Sequence, residues 1–345
     1  MDRRIFAAST AFATFAQWRR AFAAQPDIVV SDPIIKDNLA VYFLRGRSED
    51  GPTPLTLQEA IAKGVVTVIE TGDVNELLVE NVGDEGVFIQ SGEIVKGGKQ
   101  DRVLTVSLML PPKSGRMPIA SFCVEQGRWS PRGKEDASRF AQAASAVSSR
   151  ETKLAMRAAS PRPADGRFDR RGETGARQQA VWASVARTQE RLSSTLGDSV
   201  RSSQSQTSLQ LALENDTLKK AQAGFAAAMR PAVEKGSDII GYVFAVNGKI
   251  NSGDVYQSNA LFRKLWPKLI DAAAAEAIGE KDAAHAIPPS VDAVQTFLKA
   301  ADNAPLQQKP LPAGIVMDTR DNDRAVVVEA RSAKGGFFHR AYVAK

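Results

Sequence analysis

Short runs of apolar residues dominate the chain between residues 28 and 130, and glycine, asparagine, aspartate and proline separate them. The runs have the length and composition of strands, and one short helical segment interrupts them, ending at Gly64. The predicted strands are 39–44, 65–70, 76–82, 87–90, 104–110 and 117–125, and the predicted helix is 57–63. This spacing predicts an antiparallel β-sandwich or a barrel-like sheet rather than a parallel βαβ sheet.

The apolar spacing becomes helical between residues 136 and 233, where Val181, Val185, Leu192 and Leu196 form one stripe. Strand and helix patterns then mix over 239–345: a strand at 239–246, helices at 259–277 and 291–301, and a final hairpin. The hairpin joins 325–331 to 337–343 through Lys334, Gly335 and Gly336. We therefore predict one α+β domain over residues 24–345, with helices packed on the sheet and a mobile basic loop near 160–176.

The first 23 residues resemble a twin-arginine export signal. Arg3 and Arg4 precede a short Ala-rich apolar run, and Ala21-Phe22-Ala23 places small residues at the cleavage positions. The run is too short to span a bilayer, which needs about 20 apolar residues. We expect a signal peptide at 1–23, no transmembrane segment and a periplasmic or secreted mature protein; a cytoplasmic amphipathic helix is the alternative.

Cysteine and histidine are scarce: the chain has one Cys and two His. One cysteine cannot form an internal disulfide, and Cys/His zinc sites of four ligands are impossible within one chain. We therefore expect no metal, and the cofactor is unknown. A Ser-His-Asp triad would need His285 or His339, and for both we expect ordinary solvated side chains.

The formal net charge of +6 is unevenly distributed. Residues 132–191 contain 13 basic and 7 acidic side chains, so the rest of the mature chain is slightly acidic. This basic stretch lacks interleaved aromatic residues, and we do not expect sequence-specific nucleic-acid binding. Its role, and any protein partner, stay open.

Two segments concentrate charge and glycine beside apolar strands. In residues 92–102, the backbone amides of Gly97 and Gly98, with Lys99, Gln100 and Arg102, could meet an anion. The segment is not a Walker P-loop, because Lys99 precedes Gln100 rather than Ser or Thr. A bulged hairpin with a basic rim is the alternative interpretation.

In residues 123–129, Arg128 and Trp129 leave the end of a strand together. A guanidinium beside an indole suits stacking on a planar ligand, although Arg128 could instead pair with Glu93 or Glu125. Cys123 is expected to be a small buried side chain rather than a nucleophile.

At these segments the chain resembles the ADP-ribosylglycohydrolase-and-rhodanese-phosphatase-associated protein domain family. Three stretches are similar to its signature segments, 75–81, 92–102 and 123–129, and the resemblance extends from about Ile34 to the C-terminus. The chain departs from the family in having Asp101 where Asn is common and in a long Ala/Ser/Arg-rich insertion. The resemblance implies no established reaction, only an association with enzymes of NAD-derived and ADP-ribosyl chemistry.

Three functions follow as hypotheses. In the first, the protein binds an anionic ligand, such as a nucleotide- or ADP-ribose-like compound, through the two segments. Alternatively it is a hydrolase that uses Glu93 and Glu125 as an acid/base pair, or an envelope interaction protein without a small-molecule ligand. Two arginines at separated strand ends, Arg102 and Arg128, are expected to line one shared site.

Overall fold

The computed structural model describes residues 28–157, 170–282 and 287–345. The elements up to residue 157 are β1 (Val29–Val30), β2 (Ile34–Lys36), β3 (Leu39–Arg45), β4 (Leu55–Thr56), α1 (Leu57–Ala62), β5 (Val66–Glu70), β6 (Glu76–Asn81), β7 (Val87–Ile89), β8 (Glu93–Gly97), β9 (Arg102–Leu104), β10 (Leu108–Leu110), β11 (Gly115–Cys123), β12 (Arg139–Val147) and α2 (Arg150–Ala155). The remaining elements are α3 (Arg170–Leu196), α4 (Leu209–Leu213), α5 (Asp216–Lys235), β13 (Ile239–Val246), β14 (Lys249–Tyr256), α6 (Asn259–Gly279), α7 (Val291–Asp302), β15 (Leu306–Leu311), β16 (Ile315–Asp321), β17 (Ala325–Ser332) and β18 (Phe337–Ala344).

A closed barrel of six strands forms the first structural unit, in the order β11-β6-β5-β12-β8-β9. In β6, buried positions alternate with more exposed ones, and the buried residues are Leu77, Val79 and Asn81. That alternation places one side chain in two inside the barrel. A small sheet, β10-β7-β4, lies beside the same hydrophobic core. Helix α1, whose N-terminus is closed by a capping box of Thr56 and Glu59, packs against that core as well.

A sheet of nine strands forms the second unit, in the order β1-β3-β13-β14-β18-β17-β16-β15, with β2 paired to β3. Its central strand β13 is buried along its whole length. Tyr242 and Phe244 on one face pack with residues of α5 and α6, and Val243 and Ala245 on the other face pack with α7. A strand covered on both faces must be apolar throughout, which explains its sequence.

The predicted fold class is confirmed. The chain is α+β with antiparallel sheets and a barrel, helices cover the large sheet, and β17 and β18 form the C-terminal hairpin. The helices predicted at 259–277 and 291–301 correspond to α6 and α7. Among the described helices, none has the length and apolar character needed to cross a membrane.

The prediction omits strands β8, β14, β15 and β16, and three other regions differ from it in type or bounds. Strand β12 lies in the region expected to be helical: its Ala-rich sequence favours a helix, but its pairing with β5 and β8 closes the barrel. The single strand expected at 104–110 is divided into β9 and β10. Helix α3 begins at Arg170, so residues 170–176 of the expected loop are helical, while 158–169 and the whole signal segment lie outside the described residues.

Candidate functional site at one end of the barrel

The two glycine- and charge-rich segments meet at one end of the barrel. Cys123 of β11 pairs with Arg102 of β9, and the amide of Val124 donates to the carbonyl of Asp101 at 3.0 Å. The turn 97–101 and the segment 124–130 are therefore neighbours. Glu70, at the end of β5, also reaches this turn, since its Oε2 accepts from the Lys99 amide at 3.3 Å.

The glycines give the turn its shape. Gly97 and Gly98 have φ angles of +116° and +54°, and a Cβ on Gly98 would lie 2.5 Å from the Phe140 ring. Their amides are already bonded, that of Gly97 to Asp101 Oδ1 at 3.0 Å and that of Gly98 to the Arg139 carbonyl at 3.3 Å. The structure thus gives both glycines a conformational role, and a role in ligand binding stays a prediction.

Two carboxylates and two arginines form a buried network beside the turn. Arg132 donates to both oxygens of Asp101, at 2.7 and 2.9 Å, and to Glu125 Oε1 at 3.2 Å. Arg128 pairs with Glu125 Oε2 at 2.7 Å and donates to the carbonyls of Gly97 and Gly98. Both carboxylates are fully buried. Arg128 therefore pairs internally with Glu125, one of the alternatives that the sequence left open.

The network separates the pKa values of its two acids. Burial raises the pKa of Asp101, and the negative charge of Glu125 adds to that rise, although hydrogen bonds from Arg132 oppose it. Burial also disfavours ionised Glu125, but hydrogen bonds from Arg128, Ser205 and the Asp101 amide outweigh burial and lower its pKa. Glu125 is thus held as an anion, which does not suit a general acid.

A second group of cations surrounds the exposed indole of Trp129. Lys99 Nζ lies 5.0 Å from the centre of the indole and Arg102 Cζ lies 5.8 Å from it. Trp129 is 48% exposed, whereas Arg102 is fully buried. Gln100 positions the guanidinium, because its Oε1 accepts from Arg102 Nη1 at 3.1 Å and its Nε2 donates to the Glu125 carbonyl at 2.9 Å.

Glu93 lies at the other end of the β8–β9 hairpin, away from Glu125. It pairs with Lys268 of α6 at 2.9 Å and accepts from the Gln90 amide at 2.9 Å. The Gly92 amide donates to the Leu104 carbonyl, which places Glu93 beside residue 104, whereas Glu125 accepts from the amide of Asp101. Residues 101 and 104 are three positions apart, so Glu93 and Glu125 are separated by roughly 10 Å along the chain at 3.3 Å per residue. Each carboxylate has its own basic partner, and this geometry does not favour their use as an acid/base pair.

Cys123 and the histidines complete the predicted candidates. Cys123 is buried, its Sγ donates to the Glu125 carbonyl at 2.9 Å, and burial raises the thiol pKa. The expectation of a solvated His339 is wrong: the residue is 1% exposed, and both ring nitrogens have hydrogen-bond partners. Strand β18 places the ring between the sheet and the barrel. His285 lies outside the described residues.

Sequence reasoning missed Arg132, Ser208 and Glu70. Arg132 lies in a basic stretch that has the composition of a loop, and nothing in that stretch marks it as buried. Ser208 joins the network as the N-cap of α4, where its hydroxyl donates to Asp101 Oδ2 at 2.6 Å. These contacts span 31 and 107 residues of sequence, beyond the range of any local pattern.

Two concavities lie away from the barrel end. A cavity of about 40 Å³ lies among α2 to α6, where Leu192, Leu209 and Glu276 contribute to its lining. A groove of about 430 Å³ lies between α7 and the β16–β17 turn. Within the described ranges, no three His, Cys, Asp or Glu side chains are grouped so that they could hold a metal ion.

A family model described as the ARG and Rhodanese-Phosphatase-superfamily-associated Protein domain matches residues 27–343. The match covers both the barrel and the nine-stranded sheet. No curated protein and no solved structure shows significant similarity to the chain.

Proposed function

The chain belongs to the ARG and Rhodanese-Phosphatase-superfamily-associated Protein domain family, and on that premise we propose that it binds a small anionic ligand at the barrel end. The binding residues are Lys99, Arg102 and Trp129. A planar group of the ligand stacks on the indole, and a phosphate or carboxylate lies against the Lys99 ammonium.

The incomplete pairing of the buried Arg102 guanidinium is the observation that carries this proposal. Its guanidinium is fully buried, yet its Nε donates to no acceptor among the described residues. The carboxylate contact that it makes, to Glu70 Oε2, is long at 3.5 Å. Because a buried charge is costly unless it is well paired, an incompletely paired arginine beside an exposed indole favours an anion there.

The charge balance of the barrel end supports the same residues. Asp101 and Glu125 are matched by Arg128 and Arg132, and Glu135 also pairs with Arg132, so that network has no positive charge left for a ligand. Lys99 and Arg102 lie outside the network, and Glu70 is the acid that approaches them. Of the seven residues predicted from sequence, Gln100 and Arg128 thus act through the turn. Lys99 and Trp129 can face a ligand, and the buried Arg102 contributes its positive charge beside the indole.

We propose a nucleotide-like ligand, with ADP-ribose as the first compound to test. Such a ligand combines a flat ring with phosphates, and the residues offer one exposed ring beside two cations. The ligand would lie on the surface beside Trp129 rather than in a deep cleft.

Thermal unfolding with ADP-ribose, NAD, AMP and sugar phosphates tests the proposal. At 100 times its dissociation constant, a bound ligand stabilises the fold by about 2.7 kcal/mol, which raises the melting temperature by several degrees. Trp129→Ala and Lys99→Gln should abolish the rise with little effect on the free protein, because both side chains are at least partly exposed. Arg102→Ala is a poor test, since it removes a buried side chain.

Lys113→Gln is the matched control, because Lys113 is exposed and lies on a different turn, where it pairs with Asp84. This variant should respond to ligand as the wild type does. No shift with any of these compounds at millimolar concentration would reject the nucleotide-like ligand and would favour an interaction protein without a small ligand. An equal response in Trp129→Ala would place the ligand elsewhere.

We further propose that residues 1–23 direct export and that the mature protein, beginning at Ala24, works in the periplasm or outside the cell. The paired Arg3 and Arg4, the short apolar run and the small residues before Ala24 support this. Replacing both arginines with lysine should keep the protein in the cytoplasm. N-terminal sequencing that finds Met1 intact on the functional protein would contradict the proposal.

A further inference from the structure

A serine, a histidine and an aspartate form a hydrogen-bonded chain where the barrel meets the nine-stranded sheet. Ser107 Oγ lies 2.8 Å from His339 Nδ1, and His339 Nε2 lies 2.9 Å from Asp254 Oδ1. Ser107 precedes β10, Asp254 lies on β14 and His339 lies on β18. None of the three residues belongs to the Trp129 site, so this inference is independent of the function proposed for that site.

The hydrogen bonds determine the direction of each proton. An ionised Asp254 can only accept, so it favours the neutral tautomer in which His339 Nε2–H donates to its carboxylate. In that tautomer Nδ1 is an acceptor, and the Ser107 hydroxyl, which itself accepts from the Ser91 amide at 2.9 Å, can donate to it. This is the resting state of a serine nucleophile with its base, although the two ring nitrogens are exchanged relative to the usual serine protease arrangement.

The surroundings hold the imidazole and the carboxylate in place. The Tyr256 ring stacks on His339 at 5.0 Å, and the Phe88 ring meets it edge-on at 5.8 Å. Burial disfavours ionised Asp254, but the charge of Lys153 and the hydrogen bond from His339 outweigh it and lower the Asp254 pKa. Asp254 is therefore an anion that can orient the ring and stabilise an imidazolium.

Ser107 lies directly below the surface. Its side chain is 5% exposed, and the preceding residues Thr105 and Val106 are half-buried. Residues 105–107 lie between β9 and β10, so the backbone amides of Val106 and Ser107 belong to neither strand. Backbone amides beside a nucleophile are the kind of donor that an oxyanion hole uses.

We propose that Ser107 is the nucleophile of an acyl-transfer site for small esters, with His339 as its base and Asp254 as a positioning residue. Ser107 Oγ bonds to the ester carbonyl carbon while its proton passes to His339 Nδ1, and the carbonyl oxygen becomes an oxyanion. When the intermediate collapses, the ester C–O bond breaks and His339 returns the proton to the leaving alkoxide. Water then hydrolyses the acyl-serine by the same route, which releases a carboxylic acid.

Covalent labelling of the wild-type protein tests the nucleophile directly. A small sulfonyl fluoride forms a bond from sulfur to Ser107 Oγ as fluoride leaves and the proton passes through His339 to solvent. Trypsin cleaves after Arg102 and Lys113, so Ser107 lies in the peptide 103–113, which also contains Thr105. We expect one label per chain, located on Ser107 by fragmentation, and hydrolysis of p-nitrophenyl acetate that the label blocks.

Substitutions distinguish a catalytic role of these three residues from a purely structural role of their hydrogen bonds. Asp254→Asn should slow labelling at least ~100-fold in protein that stays folded, as judged by its melting curve, because the amide no longer favours the Nε2–H tautomer. Ser107→Ala should remove both the label and ester hydrolysis. The control is Ser121→Ala: Ser121 is a buried serine without a hydrogen-bond partner for its hydroxyl among the described residues, and its loss should change neither reading.

Nitrogen NMR provides a reading that does not depend on activity. The chain has only two histidines, so His285→Gln assigns the signals of His339, and we expect the neutral Nε2–H form. Label on Thr105 or on another peptide, no label at all, or an undiminished labelling rate in folded Asp254→Asn would overturn the proposal. A proton found on Nδ1 in the neutral ring would overturn it as well, because Ser107 would then have no base.

Discussion

The substitution Gly98→Ala tests how closely the glycine turn packs against the barrel core. The new Cβ would lie 2.5 Å from Phe140 Cζ and 2.9 Å from both Cε atoms, where unstrained carbon contacts need about 3.5 Å or more. Phe140 is 5% exposed and packs inside the barrel, so the ring cannot move without disturbing its neighbours. Overpacking of this kind costs roughly 1–3 kcal/mol, and a side chain at φ +54° adds about 1 kcal/mol.

Gly127→Ala is the matched control. Gly127 has a φ of +86°, but no atom lies within 4 Å of its added Cβ, so it carries the backbone cost alone. We expect Gly98→Ala to lower the unfolding free energy by about 2–4 kcal/mol and Gly127→Ala by about 1 kcal/mol, measured by urea denaturation. Adding Phe140→Leu should recover part of the difference in Gly98→Ala. Equal losses in the two alanine variants would show that the contact with Phe140 is absent in solution.

Three further predictions concern the buried network and the cysteine. Arg132→Met should destabilise the protein by about 3–5 kcal/mol in urea titrations, because it leaves two buried carboxylates short of a cation. The lowered pKa of Glu125 stabilises the fold above its ordinary pKa, and this contribution should be lost as the pH falls through the lowered value. The raised pKa of Asp101 acts oppositely: it favours the fold below the ordinary pKa, and that contribution is lost as the pH rises through the raised value. Asp101→Asn should therefore flatten the stability–pH curve between the ordinary and the raised pKa of Asp101. Cys123 should resist iodoacetamide at neutral pH until the chain unfolds, and modification of the native protein within minutes would contradict its burial and raised thiol pKa.

The candidate site shows how far local signals extend. The glycines at 97–98 and the charges around them mark a turn, and the family segments mark 123–129, so both halves of the barrel end were predictable. Which cation meets which carboxylate was not, because Arg132 reaches Asp101 across 31 residues and outside any periodic pattern. The distinction between Arg128, which pairs with a carboxylate at 2.7 Å, and Arg102, whose carboxylate contact is 3.5 Å long, required the packed structure.

The sequence by itself determined the local structure, because strand alternation, helix caps and turn glycines act over a few residues. Leu77 and Val79 face the barrel core as the period of two requires, and Thr56 with Glu59 begins α1 as their spacing indicates. Only the tertiary structure decided the features that depend on distant contacts. Pairing with β5 and β8 makes the Ala-rich β12 a strand against its helix propensity. His339 meets Ser107 across 232 residues and Asp254 across 85, since burial between two sheets brings together side chains that no sequence period relates.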